Sequence, residues 1–137
     1  MEKKQIEVFL GGTCADSTWR DRLIKQLKVD YFNPVVDDWT PEAQEIEKEK
    51  RKTCEYVLYV ITPLMHGVYS IAETVDDSNK RPEKTLFCFL REDDEKEFDE
   101  AQIKSLKAVG ELIQENGGKW FQSLYEIAFF LNNINKI

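Results

Sequence analysis

The sequence predicts an α/β protein: a flavodoxin-like three-layer fold built on a four- or five-stranded parallel sheet. Three observations carry this expectation. Short apolar runs at Ile6 to Leu10, Tyr56 to Ile61 and Thr85 to Leu90 have the continuous character of strands covered on both faces. The segments between them repeat apolar residues at helical spacing. The resulting order, β-α-β-α-β-α-β-α, calls for right-handed crossovers that place helices on both sides of one sheet.

Each element has its own reason. Ile6 to Leu10 (IEVFL) is a strand stopped by Gly11-Gly12, and Trp19, Leu23, Ile24 and Leu27 then mark a helix. Tyr31 to Val36 contains Pro34, which lacks a ladder donor, so the segment is a short or edge strand. Thr40-Pro41-Glu42 supplies an N-cap, a proline at the first helical position and an acidic first turn, predicting a polar helix to about Thr53. Tyr56 to Ile61 (YVLYVI) is the central strand. Val68, Ile71, Ala72 and Val75 follow at i, i+3, i+4 and i+7, a helix ending in the turn-rich stretch Asp76 to Pro82. Thr85 to Leu90 is another buried strand, and the charge run Arg91 to Glu100 is a solvated loop. Ile103, Leu106, Val109 and Ile113 form a helix that Asn116-Gly117-Gly118 ends, with a short fifth strand near Lys119-Trp120. Ser123-x-x-Glu126 is a capping box for the closing helix through Leu124, Ile127, Ala128 and Leu131.

Composition narrows the function. A chain of 137 residues fits one domain, residues 1–137. A net charge of −7 argues against a nucleic-acid polymer as partner, since such binding draws on Lys and Arg to neutralise phosphates. Cys14, Cys54 and Cys88 are odd in number and widely spaced, without metal-ligand or disulfide spacing, and read as reduced thiols. Met1-Glu2-Lys3-Lys4 leads into a strand rather than a secretory signal, and no apolar run approaches the roughly 18 residues of a membrane span. The expectation is a cytoplasmic protein without a membrane partner.

The segment Ile61 to Glu73 concentrates the residues that carry chemistry, because a strand runs through a Pro/Gly turn into a helix bearing Glu73. Open parallel sheets bind ligands outside the carboxyl ends of their strands. Two readings of Glu73 stand side by side. Ser70-x-x-Glu73 matches a capping box, in which Glu73 only accepts the Ser70 N–H. Alternatively Glu73 is a carboxylate held anionic by the helix dipole and suited to trapping a cationic carbon. Asp38 and Trp39, after the second strand, are open in the same way. A carboxylate and an indole there suit a ribose and a heterocycle, while an Asx turn feeding the Thr40 cap explains them equally well. Gly11, Gly12 and Thr13 can approach a ligand with backbone N–H groups, although neither a G-x-G-x-x-G nor a P-loop is present. His66, the single histidine, reads as a loop residue.

VFLGG at Val8 to Gly12, YVLYVIT at Tyr56 to Thr62 and GVYSIAE at Gly67 to Glu73 together resemble the nucleoside 2-deoxyribosyltransferase family, especially its short, divergent branch. The resemblance covers most of the chain in order. It implies that the Gly-rich turn at Gly11 and Gly12 lines a sugar pocket, and that Glu73 is the nucleophile forming a deoxyribosyl-enzyme intermediate. Glu47, on the helix entering the third strand, falls where the family has a further carboxylate. Phe9 stands where the first strand usually carries Tyr. The family pattern before the nucleophile is close to D-x-G-T-x-x-E, and here Gly67 replaces the Asp, Tyr69 the Gly and Ser70 the Thr. The family assembles as homo-oligomers whose sites borrow residues from a neighbour, which implies a homodimer or larger and makes Asn116 a candidate contributor. No cofactor and no metal is implied.

The expected function is therefore chemistry at the N-glycosidic bond of a small nucleoside or nucleotide: transfer of 2-deoxyribose between bases through Glu73, with Glu47 as second carboxylate. Phe9, Gly11, Gly12, Asp38, Trp39, Gly67, Tyr69, Ser70 and Asn116 are the candidate substrate contacts. The alternatives are a hydrolase of nucleoside monophosphates and a catalytically silent nucleotide-sensing module on the same scaffold.

Overall fold

The computed structural model describes residues 5–14 and 16–134; Met1 to Lys4, read above as the lead-in to the first strand, lie outside them. Along the chain run β1 (Glu7–Gly12), α1 (Trp19–Ile24), β2 (Asp30–Phe32), α2 (Pro41–Thr53), β3 (Tyr56–Ile61), α3 (Tyr69–Lys80), a 3-10 turn at Pro82–Lys84, β4 (Thr85–Phe89), β5 (Glu92–Asp93), β6 (Lys96–Glu97), α4 (Glu100–Asn116), β7 (Lys119–Phe121) and α5 (Leu124–Asn132). Five strands form one sheet in the order β2-β1-β3-β4-β7, and every pairing in it is parallel. This is the flavodoxin-like order, whose topological switch lies between β1 and β3.

The pleat divides the core into two layers. Val8, Leu10, Leu58, Val60, Leu86 and Cys88 face one side and pack on Trp19 and Leu23 of α1 and on Leu124, Ile127 and Leu131 of α5. Phe9, Val57 and Tyr59 face the other way, as do Ile61, Phe87 and Phe89, which meet Leu106 and Ile113 of α4. Each such side chain, fully buried, contributes about 1.5–3 kcal/mol. α2 is different: it buries no residue completely and is tied down by charge, Lys50 Nζ to Glu7 at 3.0 Å and Arg51 to Asp77 at 3.0 Å.

Several boundaries differ from the sequence expectation. β1 continues through Gly11 and Gly12 instead of stopping before them, because both glycines pair with β3, opposite Tyr59 and Val60. β2 ends at Phe32, ahead of Pro34, and lies at the sheet edge. α3 ends at Lys80, within the stretch read as turn-rich but late in it, since Asp77 and Ser78 are buried and hydrogen-bonded as part of the helix. The charge run holds a two-residue antiparallel hairpin, β5 with β6, whose turn at Asp94 and Glu95 is left-handed. Asp93 anchors that hairpin to the start of the chain, accepting from Ser17 Oγ at 2.5 Å and Arg22 Nη2 at 3.3 Å. The Thr40 and Ser123 caps form, accepting from Ala43 N and Glu126 N, both at 3.1 Å, but the expected Ser123-x-x-Glu126 box is only half made, since the Glu126 carboxylate accepts from Gln122 N at 2.8 Å and not from Ser123 N. Among the described residues no helix is long and apolar enough to cross a membrane, and the three cysteines are free.

Candidate active site

At the carboxyl ends of β1 and β3 the backbone is drawn together by Thr13. Its N–H donates to Val60 O at 2.9 Å, and its Oγ1 accepts from Thr62 N at 2.9 Å. Arg20, buried under this turn, donates Nε to Leu10 O at 2.9 Å and Nη1 to Thr13 O at 2.6 Å. The turn is thus fixed from both sides, and Gly11 exposes backbone where any side chain would meet the Tyr59 ring, 2.7 Å from a Cβ.

Above that floor opens a cleft of about 440 Å³ between α2 and α3. Phe9, Gly11 and Gly12 line it from β1, Glu47 and Arg51 from α2, and Tyr69, Ser70 and Glu73 from α3, while Val35, Val36 and Trp39 line it from the loop after β2. The capping box at Ser70 does not form. α3 begins at Tyr69 with Val68 as its N-cap and no side-chain cap bond, and the Ser70 hydroxyl donates to Gly12 O at 3.4 Å. Glu73 is thereby left without a capping duty; it is nearly fully buried and sits in the cleft wall.

Its surroundings are other charges. Glu47 and Glu73 line the same cleft, from α2 and α3, close enough for each to act on the other's ionisation. Burial, and then the Glu47 charge, push Glu73 up to about 7, against the opposing pull of the Arg51 guanidinium. Burial likewise raises Glu47 above the usual carboxylate range. Their interaction raises Glu73 and lowers Glu47, so a shared proton rests first on Glu73, and its passage to Glu47 would leave a nucleophile beside an acid. Arg51 Nη1 stands 3.4 Å from Glu73 Oε2, and the rest of its guanidinium is bound to Asp77, Nε at 3.2 Å and Nη2 at 3.0 Å.

The structure therefore brings together Glu47, Glu73, Phe9, Gly11, Gly12, Trp39, Tyr69 and Ser70. Gly67 lines a smaller adjoining chamber of about 270 Å³, with Met65 and His66, that shares Gly12, Cys14, Tyr69 and Ser70 with the cleft. Asp38 stands apart from the lining: it is exposed, and its carbonyl accepts from Thr40 N at 3.1 Å. The Asx turn in this loop belongs to Asn33, whose Oδ1 accepts from Val35 N at 3.0 Å. Asn116 is at the far end of α4, where it donates to Ser78 Oγ at 3.0 Å, so within one chain it does not reach the cleft. Arg51 and Arg20 were not among the sequence candidates. The signal for Arg51 was its spacing: Glu47 and Arg51 on α2, and Glu73 and Asp77 on α3, are both i, i+4 pairs that share a helix face.

Fold and cleft together define an α/β protein with one buried and one half-buried carboxylate at the carboxyl edge of a parallel sheet, beside its topological switch. A search of curated proteins found no significant match. The family model described as nucleoside 2-deoxyribosyltransferase like matches residues 5–90, which span β1 to β4 and every residue lining the cleft, and the chain belongs to that family.

Proposed function

We propose that the protein transfers a 2-deoxyribosyl group between bases by retaining, two-step chemistry, with Glu73 as nucleophile and Glu47 as acid and base. The ionised Glu73 attacks C1′ of the nucleoside, and the C1′–N bond breaks as its electron pair leaves with the base. Glu47 gives that base its proton. The acceptor base then loses a proton to Glu47, attacks C1′ and releases the Glu73 carboxylate. Every atom is returned, and no redox partner is needed.

The observation that carries this reading is the placement of Glu47 and Glu73 together in the lining of one cleft, near enough to couple. A single displacement by water needs the two carboxyls about 6.5–9.5 Å apart, and a pair close enough to couple suits the shorter spacing of the covalent, retaining route. The apolar rim supports a planar base as leaving group. Trp39 and Tyr69 line the cleft at 56% and 72% exposure, surface that a stacked heterocycle would cover. Gly11 and Gly12 fit close approach of the sugar, and the Ser70 hydroxyl is at hand beside them. Membership of the family supports a small nucleoside as substrate rather than a polymer. A homodimer or larger belongs to the same reading, supported by the stacked, exposed Tyr125 and Phe129 on α5, and sedimentation of the purified chain tests it.

The test is incubation with deoxynucleosides and a different free base, following exchanged nucleoside and free sugar by chromatography. Exchange in the wild type and none in Glu73→Gln is the expected result. Free sugar without exchange would replace the transferase by a hydrolase. Stabilisation by nucleosides without turnover would mark a sensing module instead. Full activity in Glu73→Gln would remove Glu73 from the mechanism.

A further inference from the structure

We propose that Arg51, clamped by the buried Asp77, is a positioning residue that aims Glu73 into the cleft and supplies its counter-charge; this deepens the proposed reaction and rests on Glu73 as its nucleophile.

Asp77 on α3 has a completely buried side chain. It accepts from the Tyr59 hydroxyl at 2.5 Å, from Arg51 Nε and Nη2 at 3.2 and 3.0 Å, and from Arg81 one turn later. Both oxygens are therefore occupied, by groups from α2, β3 and the end of α3. The Nε and Nη2 edge of Arg51 is spent on this fork, and planarity then fixes where the remaining nitrogen points. That nitrogen, Nη1, faces Glu73 Oε2 at 3.4 Å. A lysine offers one point charge and cannot hold Asp77 and face Glu73 in the same geometry.

Charge counting separates this arrangement from a salt bridge that only holds the fold. One Asp77 carboxylate is shared by two guanidinium groups, Arg51 and Arg81, so the cluster carries surplus positive charge. Asp76, more exposed, touches Arg51 Nη2 at 3.4 Å and is also paired with Lys80. The groups that face Glu73 are thus Glu47 and Arg51 from α2 and Asp77 from its own helix, with Tyr59 behind Asp77 on β3 and Arg20 of α1 acting on Glu47. Of these, Arg51 is the cation in ion-pair contact with Glu73.

Removing a cation beside a carboxyl favours the neutral acid, so loss of Arg51 moves Glu73 ionisation to higher pH. The experiment follows the Glu73 side-chain carboxyl carbon by NMR against pH in ¹³C-labelled protein, with Glu73→Gln to assign the signal. Arg51→Gln is expected to raise the midpoint by about one pH unit or more, and Arg51→Lys by less. In base exchange both should lower kcat with little change in KM, and the lysine variant should recover part of the loss. A midpoint equal to the wild type in Arg51→Gln would overturn the proposal. If that variant does not fold, an unchanged midpoint in Arg51→Lys would overturn it equally. Titration needs no turnover, so a wild type inactive on every nucleoside would defeat the proposed reaction and still leave the role of Arg51 decided.

Discussion

A methyl group on Gly12 would lie 2.1 Å from the carbonyl oxygen of Val60. The backbone of β1 therefore passes β3 at a distance that admits no side chain, at a φ of +116° that L residues rarely adopt. The close approach places the Gly12 carbonyl under Ser70 and the floor of the cleft beside Glu73. Gly12→Ala is expected to cost about 3 kcal/mol or more, through positive φ and the clash together. Urea unfolding of the variant would measure it, and a loss below 1 kcal/mol would mean that the approach relaxes easily.

The acid limb of activity follows from the burial of Glu73 beside Glu47. In the proposed mechanism Glu73 must be ionised to attack, and its pKa is raised to about 7, so kcat/KM should fall as pH drops through that value rather than near the ordinary 4.5. Rates of base exchange between pH 5 and 9 test this. An activity flat down to pH 5 would mean that the attacking group is not Glu73.

The same shift bears on stability, with a definite sign. A carboxyl whose folded pKa lies above its unfolded value binds more protons when folded, so stability is lost as pH rises from 4.5 through about 7. Glu73→Gln removes that penalty, and should stabilise the chain at pH 8 by up to roughly 3 kcal/mol while changing little at pH 4. Thermal unfolding at the two pH values is the measurement. Equal effects at both would contradict a strained, buried carboxyl.

How far these features could be read from the sequence depends on whether their cause is local. β3 and β4 were legible because a strand covered on both faces is apolar throughout, and α2 because Thr40-Pro41 marks its start. The last turn of α3 was not, because Asp77 and Ser78 look like turn residues until Arg51, Tyr59 and Asn116, distant in sequence, satisfy them. The hairpin at Glu92 to Glu97 has strands too short for any period to show. At the candidate site, Glu73 and Glu47 were named, but their nearness is a tertiary fact. The Ser70-x-x-Glu73 spacing suggested a capping box that the helix start at Tyr69 rules out.

Trp39 should act on binding and not on folding. Its ring is 56% exposed at the edge of the cleft, so Trp39→Ala removes little packing. Loss of one base–aromatic stack costs about 1–3 kcal/mol, a rise in KM of roughly fivefold or more. Steady-state kinetics beside a thermal melt separate the two effects. A lowered melting temperature with unchanged KM would assign Trp39 to packing.

Gly67 offers a gain of function. The resemblance places Gly67 where the family pattern has an Asp, and a Cβ built there meets nothing within 4 Å. Gly67→Asp should therefore fold normally, and an acidic side chain just before α3 is favoured by the helix dipole by about 0.3–1 kcal/mol. In the chamber that adjoins the cleft, the new carboxylate would be available to the sugar or to the departing base. A well-positioned acid–base group contributes about 10²–10⁴-fold, and for one introduced without further adjustment a rise in kcat of roughly tenfold is the expected result. Comparing exchange rates of the wild type and Gly67→Asp on the same deoxynucleosides decides it. A folded variant with no gain would show that a carboxylate at this turn adds nothing to the reaction, in keeping with the proton-donor role proposed for Glu47.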